Sequence, residues 1–132
     1  MKVLKYLYYI FENIILLHNL RINNFVIITP RFFAILFKKI VIFNKKKKNF
    51  FIQNIRNKFD INTVFQIFGY EEYNLKKVLN NYEFFLDSHI NSKKKLIIDC
   101  GSNIGSSARY FSEMYYKSKI IAIEAEKQNY EF

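Results

Sequence analysis

The stretch LIIDCGSNIG at positions 96–105 constrains the fold more than any other part of the chain. A short continuous apolar run, Leu96 to Ile98, closed by Asp99, predicts a central strand buried on both faces. Gly101 and Gly105 follow at once, and residues 106–116 then carry Ala108, Phe111 and Tyr115 along one helical face. A second apolar run, Lys119 to Ile123, ends in Glu124. Strand, glycine loop, helix and strand form a βαβ unit, the building block of a parallel sheet.

That order places particular side chains at one edge of a sheet. A nucleoside-bearing ligand must approach the backbone there, and a side chain at Gly101 or Gly105 would stand in its way. Free amides at the start of the following helix offer hydrogen bonds to polar or anionic ligand groups. Asp99, at the strand mouth, can accept from a ligand ammonium or from loop amides. Glu124 follows Gly105 at close to the roughly 20-residue spacing at which an acid reaches ribose hydroxyls. Its plain alternative is a charged strand end. The dinucleotide fingerprint Gly-x-Gly-x-x-Gly fits poorly, because Asn103 and Ser106 stand where its later glycines belong.

Asp99-Cys100-Gly101-Ser102-Asn103-Ile104-Gly105 instead resembles the first motif of class I methyltransferases, which bind S-adenosyl-L-methionine. The longer run LIIDCGSNIGSSARYFSEMYYKSKIIAIEAEKQNYEF is similar to the FkbM methyltransferase pattern, an Asp-x-Gly-x-Asn-x-Gly loop followed by a helix bearing Phe and a strand ending Ile-Glu-Pro. Asp60 to Phe68, with Glu72 and Tyr73, also looks like the segment preceding that loop in the family. Ala125 replaces the usual proline and Cys100 a small apolar residue, and neither removes a ligand contact.

The resemblance implies a partial Rossmann-like α/β fold, its first βαβ unit, behind an N-terminal helical and β-hairpin region. It implies that Asp99, Gly101, Asn103 and Gly105 surround the methionine and ribose parts of the cofactor. Ser102 would add backbone contacts, and Glu124 would hold the ribose hydroxyls. The implied activity is O-methyl transfer to a hydroxyl of a sugar, glycan or natural product. In the family the acceptor site and general base come from later segments, so the chain is expected to be a truncated or split member. Its C-terminal half would be missing or encoded separately, and the chain alone would bind cofactor weakly without turnover.

The remaining chain divides at 1–58, helices and hairpin; 59–94, a helical lead-in; and 95–132, the incomplete cofactor domain. Residues 3–20 read as an apolar helix, and Thr29-Pro30 as the start of a second one reaching Phe37. Ile40 to Phe43 and Phe50 to Ile55 form a hairpin whose tip, Lys45 to Lys48, is solvated. Asp60 caps a short helix through Phe68 that Gly69 stops, and a further amphipathic helix spans 74–88.

Composition bounds the function classes. Hydrophobic residues make up 51% of the 132 positions, far from the make-up of a disordered chain. The net charge of +10 favours polyanions, yet Lys, Asn, Ile, Phe and Tyr all have A/T-rich codons, so no nucleic-acid partner is expected. Cys100 is the sole cysteine, which rules out an intrachain disulfide and a cysteine metal cluster and fits a reducing, cytoplasmic setting. His18 and His89 lie in no ligand-spaced group, so no metal is expected. Lys5 and Glu12 break the first apolar run and Pro30 and Arg31 the second, so neither spans a membrane. The competing reading is a small basic, non-enzymatic module in peripheral membrane contact that keeps the glycine loop as a remnant.

Overall fold

The structure is a computed structural model and describes residues 23–74 and 96–131. Along them run β1 (Phe25–Ile27), α1 (Arg31–Phe37), β2 (Lys39–Asn44), β3 (Asn49–Asn54) and α2 (Lys58–Val64), then a π-helical turn (Phe65–Gly69). β4 (Leu96–Cys100), α3 (Ser106–Met114), β5 (Lys119–Ile123) and α4 (Lys127–Tyr130) follow. The fold is mixed α/β with two small sheets, one ordered β1-β2-β3 and the other β4-β5. The helices expected over 3–20 and 74–88 lie outside the described residues.

The expected hairpin is present. β2 and β3 pair antiparallel from Lys39↔Asn54 to Asn44↔Asn49, and β1 joins β2 from the other side. Buried Asn44 closes the turn by accepting from the amides of Lys46 and Lys47 at 3.0 and 3.1 Å, an Asx-type substitute for a backbone turn bond. The lysine tip is not wholly solvated, because Lys47 Nζ crosses to Glu113 of α3 at 2.9 Å.

Alternation along the strands turns Phe25, Ile27, Ile40, Ile42 and Phe51 to one face. There they meet Ala34, Ile61, Val64, Phe65, Ile67 and Phe68 in one apolar cluster. Phe25 stands edge-on to Phe68 at 5.2 Å, a favoured aromatic geometry. Buried Glu71 anchors the start of β1 by accepting from the Phe25 amide at 3.1 Å, the Asn24 amide, and the side-chain amide of Asn74 at 2.9 Å.

Local expectations fail where a tertiary partner takes the group. Thr29 does not cap α1; its hydroxyl accepts from the Val41 amide of β2 at 2.9 Å, and the helix starts without a side-chain cap. Asn57, not Asp60, caps α2, accepting from the amides of Phe59 and Asp60 at 2.8 and 3.2 Å. The α-helical hydrogen bonding stops at Val64 and widens into the π turn through Gly69. Helix α3 ends at Met114; Phe111 and Tyr115 stack along one side with ring centroids 6.4 Å apart and Phe111 packs against the core, but the fully buried residues are Ser106, Ser107, Tyr110 and Glu113. The aromatic cluster selects that face: Tyr110 lies 5.3 Å from Phe25 and 5.7 Å from Phe68.

β4 and β5 pair parallel from Leu96↔Lys119 to Cys100↔Ile123, with α3 between them in the chain. Burial of β4 on both faces is not observed. Leu96 and Ile98 are more than half exposed, and Ile121 and Ile123 are exposed on the same face. Helix α3 packs on this pair, and no described element covers the face that carries Leu96 and Ile98. Among the described residues no helix is long and apolar enough to cross a membrane.

Candidate functional site

Beyond β4 the chain turns through three left-handed residues, Gly101 (φ 79°), Asn103 (φ 51°) and Gly105 (φ 75°). Glycine holds that conformation without steric cost, and asparagine tolerates it better than most side chains. A Cβ at Gly101 or Gly105 would meet nothing within 4 Å, so both glycines answer a backbone requirement beside open space. The amides of Gly101 and Ser102 donate to the Ile123 carbonyl at 2.8 and 3.1 Å, and the Gly105 amide to the Ser102 carbonyl at 2.8 Å. These bonds fasten the loop to the end of β5. They also engage the Ser102 backbone within the protein.

The two carboxylates flanking the loop have different partners. Glu124 accepts from the Asn103 amide through Oε2 at 2.6 Å and from the Glu126 amide through Oε1 at 2.8 Å. The Glu126 amide, then the Asn103 amide, hold its carboxyl below the usual carboxylate range. Hydrogen bonds from the Asn129 side chain and the Ala125 amide act in the same direction, so Glu124 is ionised at neutral pH and bonded to both the loop and α4. Asp99 shares a sheet face with Ala122, opposite to Ile98, and accepts from the Ser107 hydroxyl of α3 at 2.5 Å.

An open cleft of about 580 Å³ lies at this end of the parallel pair, within the usual size of a small-molecule site. Ser102, Asn103, Gly105 and Glu124 line it, together with Asn129 and Tyr130 from α4. Asp99 and Gly101 are not in its lining. Four of the six residues singled out from the sequence therefore meet around one cleft, and the other two, at the end of β4 and the first turn, lie outside its lining.

Arg56 is a site residue that sequence reasoning passes over. Its guanidinium donates to both Asp60 carboxylate oxygens at 3.0 and 3.1 Å and to Asn103 Oδ1 at 3.0 Å. It also bonds Asn129 Oδ1, and its backbone amide reaches Asp60 at 2.8 Å. Burial alone would raise the Asp60 pKa, but the Arg56 hydrogen bonds outweigh it and hold the carboxyl below its usual range. The pair thus stays ionised and clamps the loop and α4 from the side of the antiparallel sheet. Helical i,i+4 spacing of Arg56 and Asp60 is the one signal in the sequence, and it says nothing of Asn103.

Among the described residues no group of three His, Cys, Asp or Glu side chains could hold a metal ion. Compared with known proteins, the chain matches no protein-family model, no curated protein and no solved structure.

Proposed function

We propose that this cleft binds S-adenosyl-L-methionine, and that the chain is of the FkbM O-methyltransferase type, acting on a hydroxyl of a sugar, glycan or natural product. One observation carries the reading: an ionised carboxylate, Glu124, ends the second parallel strand and grips the glycine loop by the Asn103 amide at the wall of the cleft. A ribose diol presents two donors side by side, and an ionised carboxylate at this place can accept them in exchange for its bond from the Asn129 side chain. The left-handed loop leaves the backbone at Gly105 free of a side chain, so a nucleoside can approach it.

Asp99 lies outside the cleft lining, and its part is to hold the start of α3 to β4 by accepting from the Ser107 hydroxyl. Arg56 and Asp60 act as positioning residues, fixing the Asn103 side chain so that its amide stays aimed at Glu124. The cofactor supplies an electrophilic methyl on a sulfonium. The protein's part is alignment of an acceptor oxygen against it. Glu124 is occupied in binding, so removal of the acceptor proton falls to another group.

Isothermal titration with S-adenosyl-L-methionine, S-adenosylhomocysteine and NAD tests this. Weak but specific association of the first two is expected, reduced about ten-fold by Glu124→Gln, the loss of charge-assisted acceptors. Equal association of NAD, or none of the first two, would overturn the assignment.

A further inference from the structure

The antiparallel sheet carries a second apolar face. Opposite the core, Val26, Val41, Phe43, Phe50 and Ile52 point outward, and Phe50 and Ile52 are 65% and 57% exposed. Phe43 and Phe50 are cross-strand partners with ring centroids 4.8 Å apart. Lys39 opens β2 at one end of this face, and the Lys45–Lys48 turn closes the other. From Asn23 to Phe59 the chain holds nine Lys and Arg residues and no Asp or Glu.

Charge decides between the possible occupants. A second copy would set the same carboxylate-free segment against itself, and like charges at close range repel. Residues 1–22 bring Glu12 as their single acid beside Lys2, Lys5 and Arg21, so they add positive charge rather than neutralise it. A nucleic acid would neutralise the lysines, and a single strand could stack bases on Phe43 and Phe50, but Val26, Val41 and Ile52 give bases no ring to stack on and would stay uncovered. An anionic bilayer satisfies both requirements, because its headgroups take the lysines while the boundary with the acyl chains takes the apolar centre.

We propose that the outer face of β1–β3 docks on an anionic membrane surface. Phe50 and Ile52 enter the interface, and Lys39, Lys46 and Lys48 contact headgroups, Lys47 being held by Glu113. This rests on the sheet alone and stands apart from the cofactor assignment.

The chain contains no tryptophan, so Phe50→Trp provides a single fluorescent reporter in the 132-residue chain. With vesicles of phosphatidylcholine and phosphatidylserine at a 7:3 ratio, its emission should shift to the blue and be quenched by brominated acyl chains. Vesicles of phosphatidylcholine alone should give neither. Lys39→Gln and Lys48→Gln should each lower partitioning about five-fold. Ile52→Asp, on a solvent-facing position, should abolish the blue shift while leaving the far-ultraviolet circular dichroism unchanged.

Three results would overturn the proposal. One is retention on vesicles that persists in Ile52→Asp, which would mean adsorption of lysines alone. A second is a blue-shifted reporter without lipid in a concentration-dependent dimer, which would place a second copy on the face. The third is the same shift in a lipid-free monomer, which would place the chain's own residues there.

Discussion

The two sheets are built from similar apolar strands, yet only one of them makes a core. Thirteen apolar residues are buried among the described residues; Tyr110 is the single one from the β4–β5 unit, and neither of its strands contributes any. The antiparallel sheet closes on α2 and the π turn. The parallel pair is held to it by Tyr110, by the cation of Arg109 over the Phe51 ring at 4.7 Å, by Glu113 bonding Asn44 and Lys47, and by Arg56 bonding Asn103. Stability is therefore concentrated in one region and the candidate chemistry in the other. The glycine loop is positioned from outside by polar side chains that a change of pH or charge can release.

Cavity formation in the core is the strongest way to test that contrast. Phe68→Ala, at a fully buried position, should cost about 4 kcal/mol in urea unfolding. Ile98→Ala should cost well under about 1 kcal/mol, since its side chain is more than half exposed. Equal costs would erase the distinction between the two sheets.

The Arg56–Asp60 pair comes next. Asp60→Asn should cost about 3 kcal/mol, because it weakens charged hydrogen bonds at a buried site. The folded-state pKa of Asp60 is depressed, so its contribution is fully present above the unfolded value near 3.9 and is lost as pH falls through the folded value. Acid unfolding of the parent should therefore steepen below about pH 4, and Asp60→Asn should flatten that slope. An unchanged slope would show that the clamp adds nothing to folding.

Smaller effects sharpen the picture. Gly105→Ala should lose about 1 kcal/mol through the left-handed φ alone, as no atom blocks the new Cβ. Tyr110→Phe should gain about 1 kcal/mol in the same assay. The hydroxyl of buried Tyr110 has no hydrogen-bond partner among the described residues, and removing it relieves an unsatisfied polar group. A loss on Tyr110→Phe would point to a partner for that hydroxyl.

Local rules made the hairpin and the βαβ order legible. The β-favouring runs Ile40 to Phe43 and Phe50 to Ile55 marked the strands, though apolar residues at every position of the first left its inward face open, and the glycines after Asp99 marked the turn between strand and helix. Cleft residues Ser102, Asn103, Gly105 and Glu124 were legible for the same reason: the parallel pairing brings both strand ends to one edge. What failed depended on contacts far along the chain. The buried face of α3 is set by Phe25 and Phe68, Thr29 is claimed by Val41, and Arg56 meets Asn103 from 47 positions away. Glu71, which no sequence pattern singles out, is buried where the amides of Asn24 and Phe25 converge on it. No periodicity in the chain encodes such meetings.

The account rests on a nucleoside-type ligand seated between the glycine loop and Glu124. Nitrogen–proton correlation spectra of the labelled chain, titrated with S-adenosyl-L-methionine, address this residue by residue. Saturable shifts should centre on the amides of Asn103, Gly105, Glu124 and Asn129 and leave the β2–β3 hairpin unmoved. Unchanged spectra at millimolar ligand, or shifts centred away from the loop, would contradict it.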